Sequence, residues 1–181
     1  MKRRLAGLGV MLVAMLATVS ANAATAAELD AAVAEALDRF EEQVKGGKVF
    51  LDNAAGYLVF PRVIKVGIAV GAEAGEGALI SHGRTLAYYR TVAGSFGLQL
   101  GAQAKSIVIA FMTPESLEQF RNSAGWKVGV DGSVALIDIG AGRSLDTTNI
   151  KDPVVGFVFG AKGLMYNLTL EGAKITQIDK T

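Results

Sequence analysis

The chain has 181 residues, 51% of them hydrophobic, with 22 glycines, no cysteine and a formal net charge of +1. That size and apolar content suit one compact domain behind a leader, and the near-neutral charge argues against a nucleic-acid binder relying on bulk positive charge. Without cysteine, neither disulfides nor a lipid-modified cysteine is available, so an exported form must rest on its core alone.

Lys2, Arg3 and Arg4 open the chain. Leu5 to Val19 is apolar but too short to span a bilayer comfortably, and Ala21-Asn22-Ala23 and Ala24-Thr25-Ala26 are both small-x-small cleavage sites. Residues 1–26 therefore read as a cleaved signal peptide, cut after Ala23 or Ala26, ahead of a single domain over 27–181. Losing three cations and no acid takes the formal charge from +1 to −2. The expected product is a soluble, non-lipidated protein of the bacterial periplasm, with full secretion as the alternative.

From Glu28 to Lys45 the apolar residues Leu29, Ala32, Val33, Ala36, Leu37, Phe40 and Val44 recur at steps of three and four, which defines one helical stripe. Glu28 and Asp30 suit its positive N-terminal end and Lys45 its negative C-terminal end, and Gly46-Gly47 stops it. The stripe can pack on the domain core or enter a lipid interface. On the polar face Asp38, Glu41 and Glu42 outnumber Arg39 and Lys45, which weakens the second alternative.

After Phe60-Pro61 the pattern is mostly strand. Between Lys65 and Gly77 the glycines 67, 71, 75 and 77 share one parity, while Val66, Ile68, Val70, Ala72 and Ala74 share the other. Residues two apart lie on one face of a strand, so one face is apolar and the other nearly bare. Such a row of glycine marks sharp bends, or another group lying close against the backbone. No phosphate-loop motif fits the segment, and Lys65, Glu73 and Glu76 break any membrane helix.

Ala78–Ser81 and Arg84–Thr91 read as a hairpin around His82-Gly83. Gly94 to Ala104 repeats the glycine spacing, and Ile107 to Met112 reads as a buried strand. Thr113-Pro114-Glu115 opens a short helix carrying Leu117 and Phe120 inward. Trp126–Ile137, Pro153–Gly160, Leu164–Leu170 and Lys174–Ile178 supply further strands, and Arg143 to Asp152 a polar loop. The expected fold class is α+β. A β-rich, strongly curved antiparallel sheet closes into a barrel or half-barrel, with an N-terminal amphipathic helix and one short additional helix.

No catalytic constellation can be assembled. His82 is the only histidine and sits in a turn, and with no cysteine an ordinary zinc site is excluded. Asp131 and Asp138 are seven apart, hence on opposite faces of a regular strand, and Gly-x-Ser-x-Gly is absent. Asp146-Thr147-Thr148-Asn149 lacks the glycine and terminal glutamate of an EF-hand loop. No enzyme, no cofactor and no metal are expected. Basic residues at Lys45, Lys48, Arg62 and Lys65, with Asp52 as the only acid in that span, can meet phosphate head groups or form an ordinary solvated surface; Arg84 and Arg90 can do the same.

An ordered set of segments resembles the SYLF domain, also called the Ysc84 actin-binding or lipid-binding domain. They are Tyr57-Leu58-Val59-Phe60-Pro61, Lys65-Val66-Gly67 with Gly71, Gly75-Glu76-Gly77, Tyr88-Tyr89 and Gly97-Leu98-Gln99-Leu100-Gly101-Ala102-Gln103. Phe111-Met112-Thr113, Phe120, Trp126-Lys127-Val128-Gly129-Val130 and Lys162-Gly163-Leu164 with Leu170-Glu171-Gly172 complete the set. The resemblance runs from about Val44 to Ile178. It implies lipid binding: eukaryotic members bind phosphoinositide-containing membranes, fungal members also bind and bundle actin, and exported bacterial members are regarded as envelope proteins. Here no SH3 or FYVE neighbour is present, and export makes actin an unlikely partner. The implied function is a non-enzymatic module that binds anionic phospholipid or a membrane surface, as a carrier or a membrane-associated factor. The alternative is a structural or protein-interaction module acting through exposed strand edges.

Overall fold

The computed structural model describes residues 24–97, 103–137, 151–160, 163–164 and 170–180. Helix α1 spans Ala26–Gln43 and starts at a capping box, in which Thr25 Oγ1 accepts the Glu28 N–H and the Glu28 carboxylate accepts the Thr25 N–H. Its stripe of Leu29, Val33, Ala36 and Phe40 is fully buried. The stripe therefore packs on the protein's own core, the first of the two alternatives.

Helix α1 ends at Gln43, with Val44 already extended as its C-cap, before the glycine pair that was expected to stop it; the pair instead starts a second helix that the periodicity did not suggest. Gly46, at φ 84°, turns the chain into α2 (Gly47–Asp52), whose Phe50 and Leu51 are buried. An added Cβ at Gly47 would lie 2.9 Å from the Phe40 ring, so glycine lets α2 fold tightly back on α1. There are thus two short helices beside α1 among the described residues, α2 and α3 (Pro114–Arg121), where the sequence predicted one. The N-cap of α3 is Thr113, with Pro114 in the first turn, as expected.

Among the described residues eight strands form one strongly curled half-barrel: β1 (Gly56–Ser81), β2 (Arg84–Gly97), β3 (Gln103–Phe111), β4 (Trp126–Lys127), β5 (Ala135–Leu136), β6 (Val154–Gly160), β7 (Gly163–Leu164) and β8 (Lys174–Ile178). Their order is β4-β8-β2-β1-β3-β6-β5, with β7 beside β6. Strand pairing is antiparallel except for the two-residue β5–β6 ladder, so the sheet is mixed rather than purely antiparallel. The predicted hairpin is present: Ser81 pairs Arg84 around His82 (φ 50°) and Gly83 (φ 71°), the two positive φ values that a type I′ turn requires.

Strand β1 is long enough to pair with two neighbours in succession. Its first half pairs with β3 (Gly56↔Phe111 to Lys65↔Gln103) and its second half with β2 (Ala69↔Gly97 to Ser81↔Arg84). Between the halves it coils back on itself. A Cβ at Gly75 would lie 2.7 Å from the Arg62 carbonyl oxygen, and one at Gly77 would overlap that of Val59. The bare glycine face is therefore the surface on which one half of β1 lies against the backbone of the other.

Alternate residues build two cores. On the inner face Leu58, Phe60, Ile107, Ile109 and Phe111 pack with Leu117 and Phe120 of α3 and with Trp126. Phe120 centres this cluster, 4.8 Å from the Phe111 ring and 5.5 Å from that of Trp126. On the outer face Val59, Ile80, Val108, Val155 and Phe157 pack under α1 and α2. The Phe40 and Phe157 rings meet edge to face at 5.0 Å.

The expected strand Trp126–Ile137 is broken. Only Trp126–Lys127 and Ala135–Leu136 are extended; between them Asp131 accepts the Lys127 N–H at 2.6 Å, Gly129 adopts φ 85°, and Gly132 lies under the Trp126 ring. The expected glycine-spaced strand 94–104 begins as the end of β2 and finishes as the start of β3, with 98–102 outside the described residues. Asp138, most of the loop 143–152 and most of the strand predicted at 164–170 also lie outside them.

Candidate functional site

The site grows from a defect in the β1–β3 ladder. Pro61 has no N–H to give, and the register shifts between Phe60 and Val63. The freed Pro61 carbonyl accepts the Ser106 hydroxyl at 2.8 Å, and Arg39 of α1 reaches the same hydroxyl at 3.5 Å. Arg39 is held by Glu35 one turn earlier, at 2.6 Å. Arg62, next to the kink, is exposed and forms no ion pair with the described residues.

Glu35, Arg39, Pro61, Arg62, Lys105 and Ser106 line an open cleft of about 490 Å³ at this end of the sheet. Behind it, Lys105 is only 8% exposed, and its ammonium lies 2.5 Å from Glu73, a carboxylate that Lys65 approaches to 3.9 Å. A lysine this deep needs such a partner. Arg39, Arg62, Lys65 and Lys105 outnumber Glu35 and Glu73 by two. Between Arg62 and Lys65, the Ile64 side chain is 38% exposed.

The structure divides the six predicted site residues. Arg62 lines this cleft, and Lys65 lies behind it near Glu73. Lys45 and Lys48 are exposed where α1 turns into α2, and Lys48 pairs with Asp52 at 3.2 Å, which raises the pKa of its ammonium. Arg84 is exposed at the hairpin turn. Arg90 belongs to a separate network: it donates to Glu76 at 2.7 Å, and Lys180, 4% exposed, lies 2.5 Å from the other oxygen of that carboxylate. Burial alone would raise the Glu76 pKa, but the hydrogen bonds from Arg90 and Lys180 outweigh it and leave the carboxyl below its ordinary value.

Arg39 and Lys105 were not picked out from the sequence. Lys105 left a signal, being the only charged residue in the strand Gln103–Phe111. Among the described residues no cluster of His, Cys, Asp or Glu could hold a metal ion, and no helix is long and apolar enough to cross a membrane.

The model of the Ysc84 family, described as a Las17-binding protein actin regulator, matches residues 92–181. That half of the chain belongs to the Ysc84 family. The match begins within β2 and takes in β3, α3 and every later element, so Lys105 and Ser106 fall inside the Ysc84 segment while Arg39, Arg62 and Lys65 precede it. The family's description concerns binding and regulation, with no catalytic activity in it. No curated protein matches the chain.

Proposed function

We propose that this Ysc84 domain is a non-enzymatic module that docks on anionic phospholipid at a membrane surface of the bacterial envelope, after export by the leader. The observation that carries the reading is the cleft at the β1 kink, lined by Arg39, Arg62 and Lys105, with exposed Ile64 two residues beyond Arg62 and Lys65 held beside Glu73 behind it. Cations meet lipid phosphates while an apolar side chain between them enters the boundary of the acyl region. The same pairing recurs on α2, where Val49 is 61% exposed beside Lys48. Export separates the protein from Las17 and actin, so those partners are not carried over from the family, and of the proposed surface only Lys105 lies within the matched segment. A strand-edge interaction module is less well supported, because the two end strands of the sheet, β4 and β5, are two residues each.

Vesicle flotation tests the reading. Each basic residue near an anionic surface contributes on the order of 1 kcal/mol, so Arg62→Gln with Lys65→Gln should weaken binding about 30-fold at low salt. The loss should shrink as salt rises, because screening already weakens the wild type. Neutral vesicles should retain little of either protein. Equal flotation of the double variant and the wild type on anionic vesicles would refute the assignment.

A further inference from the structure

The sequence offers two cleavage sites for the leader, and the fold distinguishes them. Lys180, almost wholly buried near the C-terminal end, donates to the Ala24 carbonyl at 2.5 Å while its ammonium also holds Glu76. One residue on, Thr25 supplies the N-cap of α1, and its backbone N–H and hydroxyl both donate to the Glu28 carboxylate, at 2.8 and 2.9 Å. Ala26 is the first residue of the helix.

We infer that the leader is removed after Ala23, so that the mature chain begins at Ala24 and its first two residues serve as structural anchors. The inference rests on export but not on lipid binding. A cut after Ala26 would remove the Ala24 carbonyl, leaving a buried ammonium with Glu76 alone, and would remove the capping box. It would also place the new α-ammonium in the first helical turn, where the helix dipole disfavours positive charge. A cut after Ala23 keeps every one of these contacts. Ala21-Asn22-Ala23 provides the small-x-small pattern that such a cut requires.

The test uses the full precursor expressed in a bacterial host, with intact mass measured on protein recovered from the envelope. The expected mass begins at Ala24. Ala26→Leu should leave that start unchanged. Ala23→Leu should block the cut or move it to Ala26, and any product starting at Ala27 should melt about 4–8 °C below the wild type from the loss of the cap and the buried hydrogen bond. A wild-type mass starting at Ala27, or an Ala26→Leu change that abolishes processing, would overturn the site while leaving export intact. A chain that still begins at Met1 would overturn export as well.

Discussion

Gly77→Ala tests the central feature of the fold, the long strand that coils back on its own backbone. The added Cβ would overlap the Val59 carbonyl oxygen and lie 2.7 Å from the Phe60 ring, where ordinary contact begins near 3.4 Å. The main obstacle is backbone, which cannot rotate aside, so the halves of β1 must separate by roughly 1 Å. A gap of that size gives up a quarter to a half of each dispersion contact across it. Overpacking costs about 1–3 kcal/mol, and more where nothing can yield. Alanine restricts the unfolded chain and returns about 0.4–1 kcal/mol. Because the obstacle is backbone, the upper end of the overpacking range applies, and the net loss should be about 2 kcal/mol, read as a lower urea midpoint at unchanged slope. Gly94→Ala is the control: it lies in β2, and an added Cβ there meets nothing within 4 Å. It should be neutral or slightly stabilising. If the two variants have equal midpoints, the glycine row does not mark a close approach of backbones.

Phe40→Ala should cost about 3–5 kcal/mol, because its ring is fully buried and packs edge to face on Phe157; an unchanged denaturant midpoint would mean that α1 is not fixed to the sheet in solution. Glu76→Gln should lose stability in a pH-dependent way. The Glu76 carboxyl lies below its ordinary 4.5 in the folded protein, so its contribution is fully present above that pH and disappears as pH falls through the lower folded value. The gap between wild type and variant should therefore narrow as pH is taken below about 4.5, and a gap that widened on acidification would contradict the network with Arg90 and Lys180.

The elements that were legible in the sequence are those whose signal is local. The α1 stripe follows the 3.6 period, His82-Gly83 sits between two β patterns, and Thr113-Pro114 marks the start of α3. The glycine parity announced a close approach but not its partner, since nothing local says that Gly75 and Gly77 meet Val59 to Val63 of the same strand. Helix α2 was hidden because Gly46-Gly47, which reads as a stop, is where a helix starts. The break after Lys127 was hidden because it depends on Asp131 capping a turn and on Trp126 covering Gly132. The cleft was half legible. Arg62 was read from the sequence, whereas Arg39 and Lys105 join it only through the crossing of α1 and the register shift at Pro61, and Lys65 turns to Glu73 behind the cleft.

A lipid-binding domain can enclose an acyl chain, release a helix into the bilayer, or meet the surface with what it already exposes. Enclosure would require space on one face of the sheet. Among the described residues Phe40, Phe157 and Phe159 fill the outer face, and Leu58, Ile109 and Phe111 the inner, each with almost no exposure. Release of α1 would strip Leu29, Val33 and Phe40 from the outer core at about 1.5–3 kcal/mol each. That is comparable with the whole stability of an ordinary domain, about 5–15 kcal/mol. The third route has no such cost: Arg62 and Ile64 are already in solvent, and the buried Lys105–Glu73 pair braces the strand ends behind them. Contact through this edge is the mode that leaves both cores intact, so membrane binding should depend on salt and head-group charge far more than on acyl-chain length.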